Sequence, residues 1–138
     1  MQAEQYLEQA YRLDELIECN KEELDMLHKI KDNLKSTDYS QERVQSTPSG
    51  EAGYEKIVAK IIELENAIMN DIEKMLSLKL EIRTVINAVQ DNEENLLLNY
   101  RYLQFLPWDV VSKKMSVSSR TVHRIHKSAL ANVKVPER

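Results

Sequence analysis

The sequence has little of what β proteins need, with two glycines, three prolines and one phenylalanine among 138 residues. Hairpin turns draw heavily on glycine and proline, so few tight turns are possible here. The apolar residues are mainly Leu, Ile, Val, Met and Ala, and they are mixed with many charged residues. This mixture is typical of long amphipathic helices and predicts an all-α protein.

Cysteine and long apolar runs are also scarce. Cys19 is the single cysteine, which excludes an intrachain disulfide and a thiolate cluster for a metal. No run approaches the roughly 18 apolar residues that a membrane span needs. The first residues, MQAEQYLEQAYRLDEL, lack the basic and apolar regions of a secretory signal. We therefore expect a cytoplasmic protein without a membrane partner.

Motifs that carry catalysis are missing as well. The chain has no Gly-rich phosphate loop, no nucleophile elbow and no carboxylate pair with a supporting histidine. His123 and His126 are spaced as metal ligands can be, but neither a cysteine nor a carboxylate lies near them on that helix face. We expect no enzymatic activity, no cofactor and no metal.

The net charge of −4 conceals an uneven distribution. Residues 1–98 carry 11 Lys and Arg against 21 Asp and Glu, whereas residues 99–138 carry 8 against 2. A basic segment joined to an acidic one suggests that the basic part meets a polyanion.

Two long segments, Tyr6–Leu34 and Ile57–Val89, place apolar residues at alternating steps of four and three. Residues 36–53 lack this period and contain a Pro-Ser-Gly turn signal, which indicates a mobile connector. The pattern predicts a long antiparallel helical hairpin, a coiled coil, over residues 1–90 with a loop at 36–53. A small helix-turn-helix domain over residues 91–138 follows it.

The hairpin alone buries little apolar surface per residue. Ile62, Ile72 and Ile86 widen the apolar face of its second helix beyond a two-stranded seam. We expect a homodimer formed through the hairpin.

The last part of the chain has the pattern of three short helices, about Glu93–Phe105, Trp108–Met115 and Ser119–Asn132. In the first helix, Leu96, Leu97, Tyr100 and Leu103 are expected to face inward. Ser116-Val117 forms the turn after the second helix, and Ser118 is a good N-cap for the third.

Polar and basic side chains dominate the outward face of the third helix. Arg120 and Arg124 are four residues apart and can point the same way, and the arginine fork can bond to guanine O6 and N7 in the major groove. Lys113 and Lys114 precede the turn and suit phosphate contacts as well as a solvated helix face. The candidate DNA-binding residues are Lys113, Lys114, Ser118, Ser119, Arg120, Thr121, His123, Arg124 and Lys127.

The segment PWDVVSKKMSVSSRTVHRIHKSAL resembles the region-four helix-turn-helix of sigma-70-type factors, over about residues 93–133. Val111 and Ser112 stand at the Ile and Ala positions of its Trp-x-x-[Ile/Val]-Ala form, and Ser116-Val117-Ser118 stands at the usual Gly-[Ile/Val]-Ser. Val122, Ile125 and Ala129-Leu130 match the core of the recognition helix. Ser116 departs from the pattern, because glycine normally supplies a positive φ there.

The lead-in NYRYLQFLPW is similar to that of sigma-like regulators of phages and prophages, including late-gene activators of the RinA and ArpU kind. The resemblance implies a sequence-specific transcription regulator that binds double-stranded DNA and contacts RNA polymerase. The clustered aromatics of the promoter-melting part of sigma factors are absent upstream, so a complete sigma factor is not implied. Two alternatives stay open, a protein-docking module that binds RNA polymerase and a DNA-packaging subunit similar to phage small terminases.

Overall fold

The computed structural model describes the backbone of residues 1–40 and 48–137, and the side chains of residues 1–34 and 52–137. The described chain is all-α, as the composition predicts, with a long helix pair followed by a small helical part. Five α-helices are described, namely α1 (Ala3–Ser40), α2 (Pro48–Asn87), α3 (Asn92–Leu98), α4 (Trp108–Met115) and α5 (Ser119–Asn132). A π-helical turn, Asn99–Leu103, follows α3 directly.

The predicted loop at residues 36–53 is too long. Helix α1 continues through Ser40, and α2 already begins at Pro48. Proline is tolerated in the first turn of a helix because its missing N–H would have no intrahelical partner there. Residues 41–47 lie outside the described residues, as does the predicted mobility of that stretch.

The chain divides into two compact units that differ from the predicted domains 1–90 and 91–138. The terminal unit contains Met1–Asp14 and Lys74–Arg138, and the middle unit contains Glu15–Glu73. The small helices therefore share a unit with the first turns of α1 and the last turns of α2.

One apolar cluster forms the core of the terminal unit. Because the beginning of α1 and the end of α2 both contribute to it, these two segments meet in the antiparallel sense that the seams predict. Full burial of a valine, leucine or isoleucine side chain stabilises the folded state by about 1.5–3 kcal/mol. The buried members are Tyr6, Leu7, Ala10, Ile82, Ile86, Val89, Leu97, Leu98, Tyr102, Val111, Val122, Ile125, Ala129 and Val133.

In the middle unit, the buried apolar residues are Ile17, Ile61 and Ile68, all of which lie on the predicted seams. Other large apolar side chains of this unit stay exposed, among them Ile62 and Met69 on α2.

The end of α2 is closed by side-chain hydrogen bonds from α3. Nδ2 of Asn95 donates to the carbonyl oxygens of Ile86 (3.0 Å) and Val89 (3.3 Å). Asn99 in turn donates to the carbonyl oxygen and to Oδ1 of Asn95, each at 2.9 Å. The Ile86 carbonyl oxygen also accepts from the backbone N–H of Val89 (2.9 Å), so the Asn95 amide adds a second donor at the end of α2 and joins it to α3.

The predicted helix Glu93–Phe105 is wrong in its second half. α3 ends at Leu98, and the π-helical turn then shifts the register, with the N–H of Gln104 donating to the carbonyl oxygen of Asn99 (3.1 Å). Leu96, which we expected to face inward, is 42% exposed, and Leu98 is fully buried.

Within the part of the chain that the structure describes, no helix is both long enough and apolar enough to cross a membrane.

Candidate nucleic-acid interface

Helices α4 and α5 are joined by a short turn with two sequence-encoded features. Ser116 adopts the left-handed conformation (φ 58°, ψ 42°), as its place in the resembled pattern predicts. Ser118 caps α5, because its Oγ accepts a hydrogen bond from the backbone N–H of Thr121 (3.1 Å). The observed bounds of α4 and α5 agree with the predicted ones.

The buried face of α5 carries Val122, Ile125 and Ala129, which pack with Val111 of α4 in the core of the terminal unit. The three residues of α5 recur at intervals of three and four, so they fix which side of the helix is covered. The opposite side of α5 is therefore turned to solvent.

Most of the candidate DNA-binding residues lie on this solvent side. Thr121 alone is half-buried, and its side chain is engaged at the cap, since Oγ of Ser118 donates to Oγ1 of Thr121 (3.0 Å). The exposed candidates are Lys113, Lys114, Ser118, Ser119, Arg120, His123, Arg124 and Lys127.

The cations of this surface have no acidic counterpart on α5, which contains no Asp or Glu. Among the described residues, Arg120, Arg124 and Lys127 form no ion pair, and the short ion pairs that occur join neighbouring residues of α1. Lys114 lies at the edge of the surface, with Nζ 5.6 Å from the centre of the Tyr100 ring. The surface is thus positively charged, and no acidic side chain of the described residues neutralises it.

A cluster of aromatic and basic side chains from the π-helical turn, α4 and α5 packs beside the α5 surface. Trp108, the first residue of α4, has ring centres 4.5 Å from His126 and 5.0 Å from His123. The guanidinium of Arg101 lies over the same indole at 4.5 Å, and its Nη1 donates to the carbonyl oxygen of Leu106 (2.9 Å). We call Arg101, Tyr102, Trp108, His123 and His126 the Trp108 cluster.

Inside this cluster, the Tyr102 hydroxyl and Nε2 of His126 are 2.6 Å apart. Burial lowers the pKa of His126 to about 4, with smaller contributions from the charges of His123 and Arg101. Burial also raises the pKa of the Tyr102 hydroxyl, an effect that Glu4 and Glu8 strengthen. Both shifts favour a neutral pair, in which the hydroxyl donates to the imidazole nitrogen.

The far end of α5 is held by a buried carboxylate on α3. Ser128 Oγ donates to Oε2 of Glu94 (2.7 Å), and Asn132 Nδ2 donates to Oε1 (2.6 Å). Glu94 itself is only 8% exposed. Two donors from successive turns of α5 on one carboxylate fix the helix against rotation about its axis.

Sequence reasoning missed the roles of Glu94, Arg101 and Phe105. Phe105 adopts a positive φ of 58° and packs edge-on against Tyr11 (5.5 Å between ring centres). Nζ of Lys79 lies 4.5 Å from the centre of the same ring. These contacts join residues distant in the chain, and no local pattern signals them. Arg101 could have been suspected, since a basic residue stands between two tyrosines close to Trp108.

Among the described residues, no three His, Cys, Asp or Glu side chains come close enough to hold a metal ion.

Fold and surface together define a class: all-α proteins in which a short helix-turn-helix with an exposed basic second helix follows a long helix pair. The chain belongs to the family described as "Protein of unknown function (DUF1492)", whose model matches residues 33–134. The matched residues include α3, the π-helical turn, α4 and α5. No curated protein and no solved structure matches the chain.

Proposed function

We propose that this protein is a sequence-specific DNA-binding transcription regulator that reads the major groove with α5. The observation that carries the proposal is the surface of α5, where Arg120, Arg124 and Lys127 are exposed and unpaired among the described residues. A helix of this kind fits the major groove, which is about 12 Å wide and displays a different donor and acceptor pattern for each base pair.

Three further features support this orientation. The N-terminus of α5, with the positive end of its dipole, lies beside the turn at Ser118 and has no acidic residue in its first turn. Lys113 and Lys114 are exposed in the last turn of α4, where a helix-turn-helix meets the phosphate backbone. Glu94 and the Trp108 cluster contact α5 and fix its orientation, so that its exposed side chains extend from a backbone whose position is set.

The regulatory role rests on the resemblance to sigma region four and to phage and prophage late regulators. In this proposal, the protein acts on a promoter or operator in the cytoplasm, contacts RNA polymerase and is not an enzyme. A dimer would present two copies of α5 to two half-sites, which is the usual arrangement for helix-turn-helix regulators.

Selection of bound sequences from randomised duplex DNA, followed by titration with the selected site, tests the proposal. The affinity is expected to fall steeply as salt is raised, because Lys and Arg displace the counterions condensed on DNA. Arg124→Ala should weaken binding to the selected site by about 1–3 kcal/mol and relax its sequence preference. Lys113→Ala should weaken binding to all sequences about equally.

Arg83→Ala is a matched control, since Arg83 is an exposed arginine of the same unit that lies on α2 and not on the proposed surface. It should leave the affinity unchanged. If the full chain binds no duplex DNA at low salt, the proposal is wrong.

A second candidate function is docking to RNA polymerase through the same helix with weak DNA affinity. Leu96 favours a protein contact, because it is a 42% exposed apolar side chain on α3, the helix that packs against α5, and a protein partner would cover it. If Arg124→Ala abolishes polymerase binding and leaves DNA affinity unchanged, docking is the function.

A further inference from the structure

The exposed side chains of α5 differ in how firmly the protein holds them. Arg120, Arg124 and Lys127 have long side chains and no ion pair among the described residues. His123 is also exposed, but its ring lies against the indole of Trp108, with 5.0 Å between the ring centres and 53° between the planes. The imidazole therefore differs from the other exposed side chains of α5 in contacting the half-buried Trp108 indole.

The Trp108 indole, which contacts the His123 ring, also contacts Arg101 and His126. The Arg101 guanidinium lies over it, and the bond from Arg101 to the Leu106 carbonyl oxygen ties down the chain just before α4. His126 contacts the indole at 4.5 Å, and Tyr102 anchors His126. A side chain such as His123, which already packs against a fixed ring, loses little rotamer freedom when it binds a ligand.

We propose that His123 discriminates among bases and that Trp108 is its positioning residue. This inference rests on the proposed function and names the contact that gives it specificity. His123 lies three positions after Arg120 and four before Lys127, and Arg124 lies four after Arg120, so these four exposed residues line the side of α5 that would enter the groove. The arginines reach bases and phosphates through long, unpaired side chains, whereas the His123 ring approaches a base from a position that the protein already fixes.

The chemistry of imidazole points to the class of base. A ring N–H of histidine donates a single hydrogen bond. In the major groove, adenine and guanine share the N7 acceptor, whereas cytosine presents a donor and thymine presents its acceptor, O4, at a different place in the groove. His123, with its ring held in one position, accordingly selects a purine at one position of the site by donating to N7.

The test uses the full-length chain and the DNA site obtained by selection. Each purine of the site is replaced in turn by its 7-deaza analogue, which lacks the N7 acceptor and keeps the Watson–Crick edge. At one position the substitution should lower the affinity of the wild-type protein by about threefold to tenfold, the value of one hydrogen bond. In His123→Ala that position should tolerate the analogue.

Trp108 variants separate positioning from direct contact. Trp108→Leu should reduce the penalty of the 7-deaza analogue at the same position, and Trp108→Phe, which keeps an aromatic ring, should restore most of it. In the His123→Ala background, Trp108→Leu should have no further effect on that penalty. Arg83→Ala should retain the whole penalty.

One result would overturn the inference: a selected site with no position at which His123→Ala removes the 7-deazapurine penalty. Guanines that Arg120 or Arg124 contacts through N7 should keep their penalty in that variant. His123→Ala changes an exposed side chain and should fold, so the test of His123 stands even if no Trp108 variant folds. A penalty that persists unchanged in folded Trp108→Leu overturns the positioning role. Failure of the wild-type protein to bind any duplex contradicts the proposed function itself and is thus distinguishable.

Discussion

Ser116 stands at the turn position where the resembled pattern has glycine. It adopts a left-handed conformation that costs a non-glycine residue about 1 kcal/mol, and its side chain is exposed. Ser116→Gly should therefore raise the free energy of unfolding by about 0.5–1 kcal/mol, and thermal unfolding should show it as a higher Tm.

Ser116→Ala is the control for this prediction, because alanine keeps the Cβ that makes the conformation unfavourable. Its Tm should stay close to that of the wild type. A lower Tm for Ser116→Gly would mean that the serine contributes something other than its place in the turn.

His126 makes the stability of the terminal unit depend on pH. Its pKa is about 4 in the folded protein and about 6.5 in an unfolded chain, so between these values the unfolded state binds more protons. Stability is therefore full above about pH 6.5 and should fall as the pH drops toward 4. The Tm measured across this range tests the prediction.

The groups that face the His126 ring give the physical reason for this loss. A charged imidazole would lie partly buried beside the Arg101 guanidinium and close to His123. His126→Gln cannot take up a proton and should flatten the pH dependence. If the wild type and His126→Gln lose stability in parallel, other groups control the acid response.

At the residue scale, the sequence predicts the cap at Ser118 and the positive φ at Ser116 because both are local requirements of one turn. It does not predict the positive φ of Phe105. That conformation is stabilised by Tyr11 and Lys79, which are far away in the chain, and no glycine or asparagine marks the position.

At the scale of elements, Glu94 joins α3 to α5. Glu94→Ala would leave the Ser128 hydroxyl and the Asn132 amide without their acceptor, and should destabilise the protein by about 1–3 kcal/mol. Glu93→Ala is a matched control, since Glu93 is an exposed carboxylate one residue earlier in the same helix. Urea unfolding of the two variants and the wild type measures the difference.

An equal effect of the two substitutions would contradict this role of Glu94, because only one of the carboxylates receives donors from α5. A larger loss of DNA affinity than of stability in Glu94→Ala would instead indicate that the orientation of α5 is sensitive to this contact.

The bounds of α4 and α5 were predictable because each has a local stop or start signal, Pro107 before α4 and the Ser118 cap before α5. The end of α3 was not. A pattern read at 3.6 residues per turn cannot detect the widened π-helical turn that follows it. The sequence also suggested Leu96 for the core, where the structure has Leu98, because three consecutive leucines do not indicate which of them faces inward.

At the scale of the whole molecule, the middle unit carries exposed apolar side chains that a second copy would cover. Ile62 and Met69 lie seven residues apart on α2, the spacing at which a helix meets a neighbouring helix repeatedly. The homodimer remains a proposal, and Ile62→Glu combined with Met69→Glu should abolish it. Sedimentation velocity at tens of micromolar measures the change in mass.

Ala67→Glu combined with Asn70→Glu adds the same charge at exposed positions on another side of α2 and should keep the dimer. A wild-type protein that sediments as a monomer would contradict the proposal outright.

The basic charge of residues 99–138 indicated where the candidate site lies, because the charge of exposed side chains does not depend on how the core is packed. The contacts that hold α5 in place could not be predicted from the sequence. The Trp108 cluster and Glu94 depend on contacts between segments whose relative rotation only the folded core determines.

The make-up of the terminal unit has a consequence for how the protein is produced. Its core contains Tyr6 and Leu7 together with Val133, which the ribosome adds more than a hundred residues after them. During synthesis the early residues must stay without their final neighbours while the whole of Glu15–Glu73 is added. The α5 surface thus reaches its final support only after the segment through Val133 has been added, and a chain that stops before it lacks part of this core.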